Sequence, residues 1–189
     1  MKNAIVLHGY VGEAEYYNVS HPSASNSHWF TWLQKQLLTN DIKTDTPEVP
    51  RPFDMDWQSW VREVERFDIG PETILVGHSM GGGFWVRYLT EHPEIRIDKV
   101  VLVAPWLNLD HEEDTDFFDF ELRPAITGQA KSFAVFVSDN DKRSLLDSAD
   151  FLRTSLSGVK FVDCHNYGHF CYNDMKTDEF PELLAEITG

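Results

Sequence analysis

Residues 76–83 read VGHSMGGG. Within them Gly77-His78-Ser79-Met80-Gly81 fits the pattern G-x-S-x-G, which is loose enough to arise by chance. Its meaning depends on what flanks it. Upstream, TILVG (73–77) is a short apolar run that suits a buried strand. Downstream, MGGGFWVRYLTEH (80–92) sets Phe84, Trp85, Tyr88 and Leu89 at helical spacing. A strand that passes at once into a helix must bend sharply at Ser79. Gly77 and Gly81 leave room for the bend, because a side chain at either would meet neighbouring backbone. The hydroxyl is thereby lifted out at the carboxyl end of a strand, and the positive end of the helix dipole faces it. That context favours a nucleophile over a serine in a structural turn.

The same alternation runs through the chain. Strands are expected at NAIVLHG (3–9), IKTDT (42–46), KVVLVAP (99–105), SFAVFVS (132–138) and VKFVD (159–163). Between them, HWFTWLQKQLL (28–38) carries Trp29, Trp32, Leu33 and Leu37 on one helical face. DMDWQSWVREVERF (54–67) repeats the pattern with Trp57, Trp60, Val61 and Val64, and LLDSADFLRTSL (145–156) with Leu145, Ala149, Leu152 and Leu156. Pro181 in DEFPELLAEI (178–187) fits the first turn of a last helix. Residues 10–27 read as a loop and 107–128 as an irregular acidic insert. The pattern predicts an α/β protein of one domain over 1–189. Its core is a three-layer sandwich around a mostly parallel sheet of about six strands.

Composition narrows the function. The 189 residues are 42% apolar and include thirteen Phe and six Trp, enough for a substantial core. A net charge of −15 leaves no basic stripe for nucleic acid and repels anionic membranes. The apolar run AIVL (4–7) is too short for a signal peptide, and no run approaches a membrane span. Cys164 and Cys171 make no disulfide framework. A cytoplasmic protein with neither nucleic-acid nor membrane partners is expected.

A serine nucleophile needs a base, and the base an orienting acid. In this fold class the chain order is serine, acid, histidine. Of the eight histidines, His8, His21 and His28 precede Ser79, His78 lies in the bend, His92 ends the next helix and His111 lies in the insert. His165 and His169 remain, and Gly168 gives His169 the turn that would project it back over the sheet edge. The acid should follow SFAVFVS, where DNDKR offers Asp139 and Asp141. Asp139 is placed to accept N–H bonds in its own turn. Asp141 reaches further, past an Asn suited to that turn, and its rival role is to cap the helix near Ser144. The Met80 N–H and, after the first strand, the Tyr10 N–H are the candidate oxyanion donors, with His8 in a structural role.

With these elements placed, the chain resembles the small α/β-hydrolase-fold serine hydrolases that include YdeN-like proteins and the retinoblastoma-binding serine hydrolase. The resemblance spans nearly the whole length. It rests on VLHGY, HWFTWLQKQL, VGHSMGG, VLVAPW, SDND and YGHF. It implies a compact sheet without a large lid domain, a Ser-Asp-His triad and hydrolase or esterase activity. Counted from the strand's final serine, the family's acid falls at Asp141. Two features depart from the family. Lys142-Arg143-Ser144-Leu145 replaces a pattern close to x-x-Val-Pro after the acid, and the loop after Gly9 is longer, with Tyr16, Tyr17 and His21 in it.

The insert LDHEEDTDFFDFE (109–121) holds seven acids with Phe117, Phe118 and Phe120. It reads either as a cap that lines a pocket and attracts a cationic group, or as a solvated loop pinned by its phenylalanines. Asp163, His165 and His169 form too sparse a set for zinc, and GHSMGGG lacks the lysine of a phosphate loop, so neither metal nor cofactor is expected. The expected function is a serine hydrolase that cleaves a small-molecule ester, thioester or activated amide through an acyl-enzyme. A protein-interaction module using aromatics exposed at 117–120 is the rival from another class. A lyase or transferase on the same fold is a third reading.

Overall fold

The computed structural model describes residues 2–189. Six strands form one sheet: β1 (Asn3–Leu7), β2 (Lys43–Asp45), β3 (Thr73–His78), β4 (Ile97–Val103), β5 (Ala130–Ser138) and β6 (Lys160–Cys164). Their order is β2-β1-β3-β4-β5-β6, and every neighbouring pair is parallel. Strands β4 and β5 begin earlier than the sequence pattern suggests, because a charged pair hides their first residues. Asp98 is buried in β4 and takes ion pairs from Lys2 and from Lys131 of β5, each at 2.8 Å.

Among the described residues seven α-helices accompany the sheet: α1 (Glu13–Tyr16), α2 (Phe30–Thr39), α3 (Trp57–Val64), α4 (Met80–Glu91), α5 (Arg143–Ser155), α6 (Tyr172–Met175) and α7 (Pro181–Thr188). Side chains alternate across the strands and so feed two cores. Ile5, Leu7, Leu75, Val100 and Leu102 pack with α3, α4 and α5 on one face. Ala4, Val6, Ile74, Val76 and Val101 pack with α2 and α7 on the other. Full burial of a side chain such as Phe84 or Phe30 contributes on the order of 1.5–3 kcal/mol. Helices α1 and α6 escape the sequence pattern because each is one turn with no buried residue. No helix among the described residues is long and apolar enough to cross a membrane.

The strand order explains where a site can form. From β1 the chain steps to β2 on one side, then back across β1 to β3 on the other. The loops leaving β1 and β3 therefore diverge and open a crevice at the carboxyl edge. Residues 107–128 do not cap it as a separate layer. Phe117 is fully buried, 5.5 Å from the Trp57 ring and 5.3 Å from that of Trp60. The Arg87 guanidinium lies 4.1 Å above the Trp57 ring and donates to the Asp116 and Phe117 carbonyls. Phe118 and Phe120 are half-buried. Phe117 is taken by the core and Phe118 and Phe120 pack partly against it, which leaves little of the aromatic surface on which the interaction-module reading rests.

Candidate active site

Ser79 links β3 to α4 with φ 54° and ψ −122°, a conformation that costs a non-glycine residue about 1–3 kcal/mol. Its surroundings hold it there. The Ser79 N–H donates to the Val103 carbonyl at 2.9 Å, and its own carbonyl accepts from Gly82, Gly83 and Trp106. A Cβ on Gly77 would lie 2.5 Å from the Gly81 carbonyl oxygen, and one on Gly81 would collide with the His8 carbonyl. Gly9 has a related role: a Cβ there would be 2.8 Å from Ser79 Cβ. It brings β1 against the serine by close approach. Gly81→Ala is expected to lower stability by about 1–3 kcal/mol or more, read as a shifted urea midpoint. Gly70→Ala, with nothing within 4 Å of the added carbon, should leave the midpoint nearly in place.

His169 reaches the site from the far edge of the sheet. Gly168 turns the loop with φ 54°, where a Cβ would meet the Asp174 carboxylate at 2.5 Å. The turn is fixed from four sides. The Gly168 N–H donates to Asn140 Oδ1 (2.8 Å), and the Tyr167 N–H to Ser138 Oγ (3.0 Å). The His169 N–H donates to Asp174 Oδ2 (3.0 Å), and His78 Nε2–H to the His169 carbonyl (2.8 Å). Trp29 Nε1–H, at the front of α2, donates to the Phe170 carbonyl at 3.1 Å.

The structure places Asp141, not Asp139, against His169. His169 Nδ1 lies 2.9 and 3.2 Å from the Asp141 carboxylate oxygens, and the Asp141 side chain is only 3% exposed. Asp141 does not cap α5, whose N-cap is Lys142 without a side-chain bond. The alternative acid Asp139 is turned away. It binds His165 Nδ1 at 2.8 Å and the Asn166 N–H at 2.9 Å, so its carboxylate serves the histidine loop and not its own turn. The His165 bond, then that of Asn166, holds the Asp139 carboxyl below its ordinary range, and Asp139 raises His165. Asn140 does more than fit a tight turn, because its side chain carries the bond to Gly168. Asp163 pairs with Arg153 at 2.6 Å.

Two clefts meet at Ser79. One of about 240 Å³ is lined by Gly9, Tyr10, Glu15, His28, His78 and His169. The other, about 270 Å³, is lined by Tyr10, Met55, Trp106, Glu112, Leu145 and His169. The long loop after Gly9 contributes Val11, Glu15 and Ser27 to the wall of the first cleft. Met80 is the first residue of α4, so its N–H has no intrahelical acceptor. Tyr10 lines both clefts beside Ser79. Cys164 and Cys171 are free thiols, pushed up by burial to about 11 and about 12.

Three further histidines are kept neutral around the site. His8 Nε2 accepts the Val49 N–H at 3.0 Å, which leaves Nδ1–H to donate to the Gly9 carbonyl at 2.7 Å. Burial lowers His8, and burial followed by the nearby His169 lowers both His78 and His28, the last to about 4. Each is harder to protonate folded than unfolded, so unfolding takes up protons below the ordinary value of 6.5. Stability should therefore fall as pH drops below about 6.5, by at most roughly 1.4 kcal/mol per pH unit for each histidine that stays neutral in the fold. Urea midpoints should fall between pH 7 and 4.5, with His28, lowered to about 4, alone contributing about one proton to the slope near pH 5.5. A flat series would contradict these burial assignments.

A doubly wound parallel sheet, a strained serine between strand and helix, and a histidine–aspartate pair beyond the later strands define an α/β hydrolase. The chain belongs to the serine hydrolase family, whose family model matches residues 18–186. It is 28% identical over 179 residues to YdeN of Bacillus subtilis (strain 168), described as a hydrolase; the match covers 89% of this chain and 86% of that one. The crystal structure of the B. subtilis ydeN gene product superposes with a TM-score of 0.82 at 21% identity, over 100% of this chain and 97% of that one. Est1E from Butyrivibrio proteoclasticus, solved with ferulic acid bound, shares the fold at a TM-score of 0.60 and 14% identity, over 100% of this chain and 86% of its own.

Proposed function

We propose that this hydrolase cleaves a small ester, thioester or activated amide through an acyl-enzyme on Ser79, with carboxylesterase-like activity in the cytoplasm. The observation that carries the reading is the buried Asp141 carboxylate 2.9 Å from His169 Nδ1, in a loop that lines both clefts with Ser79. Asp141 holds the proton on Nδ1 and leaves Nε2 as the base. Ser79 Oγ attacks the carbonyl carbon and gives its proton to His169 Nε2. The N–H groups of Met80 and Tyr10 receive the developing oxyanion. His169 then protonates the leaving group, which departs. A water gives its proton to His169 and attacks the acyl carbon, and the acid leaves with Ser79 restored.

A panel of p-nitrophenyl esters of increasing chain length, with one cationic and one anionic ester, tests this reading. Short neutral esters should be turned over by the wild type. Glu112 and Glu113 outnumber Lys142 in the lining of the cleft beside Trp106, so the cationic ester should show a lower KM than its neutral isostere. That preference should fade with salt, because exposed charges are screened over about 8 Å at physiological ionic strength. No turnover of any ester, thioester or activated amide would remove the proposal. Equal KM at low salt would return the insert to a solvated loop.

A further inference from the structure

His28 precedes α2 with φ 54°, in the left-handed region that a residue with a Cβ enters only at a cost. Its ring neighbours two others, with centroids 6.0 Å from Phe30 and 5.8 Å from His78. Nδ1 accepts the backbone N–H of Tyr172 at 3.3 Å. A neutral imidazole whose Nδ1 accepts must carry its proton on Nε2. That N–H has no protein acceptor among the described residues, while the ring lines the cleft that holds Ser79 and His169. The first loop, the start of α2 and the histidine loop thus converge on a strained residue with an unpaired donor, whose ring lines this cleft and the neighbouring hollow beside Thr31 and Tyr172.

We propose that His28 determines substrate specificity: its Nε2–H donates a hydrogen bond to an uncharged oxygen, of a carbonyl, hydroxyl or ether, on the part of the substrate seated in the histidine-lined cleft. The inference rests on the reading of that cleft as the substrate site. Burial and the nearby His169 keep His28 neutral, so it offers a donor and not a cation. Glu15 lines the same cleft and repels a carboxylate. An uncharged acceptor satisfies both. His28 is not a second base, since its only unprotonated nitrogen is engaged by Tyr172.

The test uses Ser79→Ala, which performs no chemistry, and two pairs of esters in which oxygen replaces one methylene. One pair varies the alcohol (2-methoxyethyl against butyl butanoate) and the other the acyl group (methyl 3-methoxypropanoate against methyl pentanoate). In at least one pair the oxygen ester should bind about 2- to 12-fold more tightly, the range of one neutral hydrogen bond. His28→Phe in the Ser79→Ala background should abolish the preference, and His28→Gln, which keeps a donor, should retain part of it. The His28 Nε2–H resonance of Ser79→Ala should shift with the preferred ester and not with its methylene twin, a readout that holds even if His28→Phe fails to fold. Equal binding within both pairs, a preference that survives His28→Phe, or an unmoved resonance overturns the proposal. Esters hydrolysed by the wild type without an oxygen preference would remove this inference and leave the hydrolase standing; a preference in Ser79→Ala with an inert wild type would do the reverse.

Discussion

Asp141→Asn should lower kcat by about 10⁴-fold while the chain stays folded. The carboxylate accepts the Nδ1–H of His169 at 2.9 Å and is nearly sealed from solvent. In the proposed mechanism it therefore fixes the tautomer that leaves Nε2 free and stabilises the imidazolium that forms when Ser79 loses its proton. An amide in its place carries no charge, and its NH₂ can donate to Nδ1, which moves the imidazole proton to the wrong nitrogen. Asp139→Asn alters only the contacts with the exposed His165 and with the Asn166 N–H, away from His169, and should change kcat little. An inactive Asp139 variant beside an active Asp141 variant would show that the functional pairing differs from the observed one.

Ser79→Ala should remove on the order of 10⁴-fold or more of the rate, leaving whatever the oxyanion donors and substrate binding supply. Members of a triad act as a unit, so Ser79→Ala with Asp141→Asn should be no worse than Ser79→Ala alone. Losses that multiply in the double variant would mean that the two residues act on separate steps.

The strand–bend–helix setting of Ser79 is legible from sequence because everything it needs is local. The strand TILVG, the two glycines and the helix after them lie within a few residues of Ser79, and each has its own pattern. The choice between Asp139 and Asp141 is not local. Both stand in one turn, and the path of that turn depends on Asn140 reaching Gly168 and Ser138 reaching Tyr167, bonds that span the gap between β5 and the loop after β6. Family resemblance selects Asp141 where the residues alone leave the matter open. His28 is passed over because it precedes the serine, an order that excludes it as base but says nothing of binding. Its partner Tyr172 is 144 positions away, and no local pattern announces such a contact. The insert shows a gentler limit: its phenylalanines signal a pinned loop, yet only the structure shows that Arg87 and Trp57 do the pinning.

Fluorophosphonate labelling followed by peptide mass analysis tests the central claim most directly. A serine made nucleophilic by His169 and Asp141 should give one covalent adduct, on the peptide that contains Ser79, and none in Ser79→Ala. An adduct on a different serine, or undiminished labelling of Ser79→Ala, would contradict the assignment of Ser79 as the nucleophile.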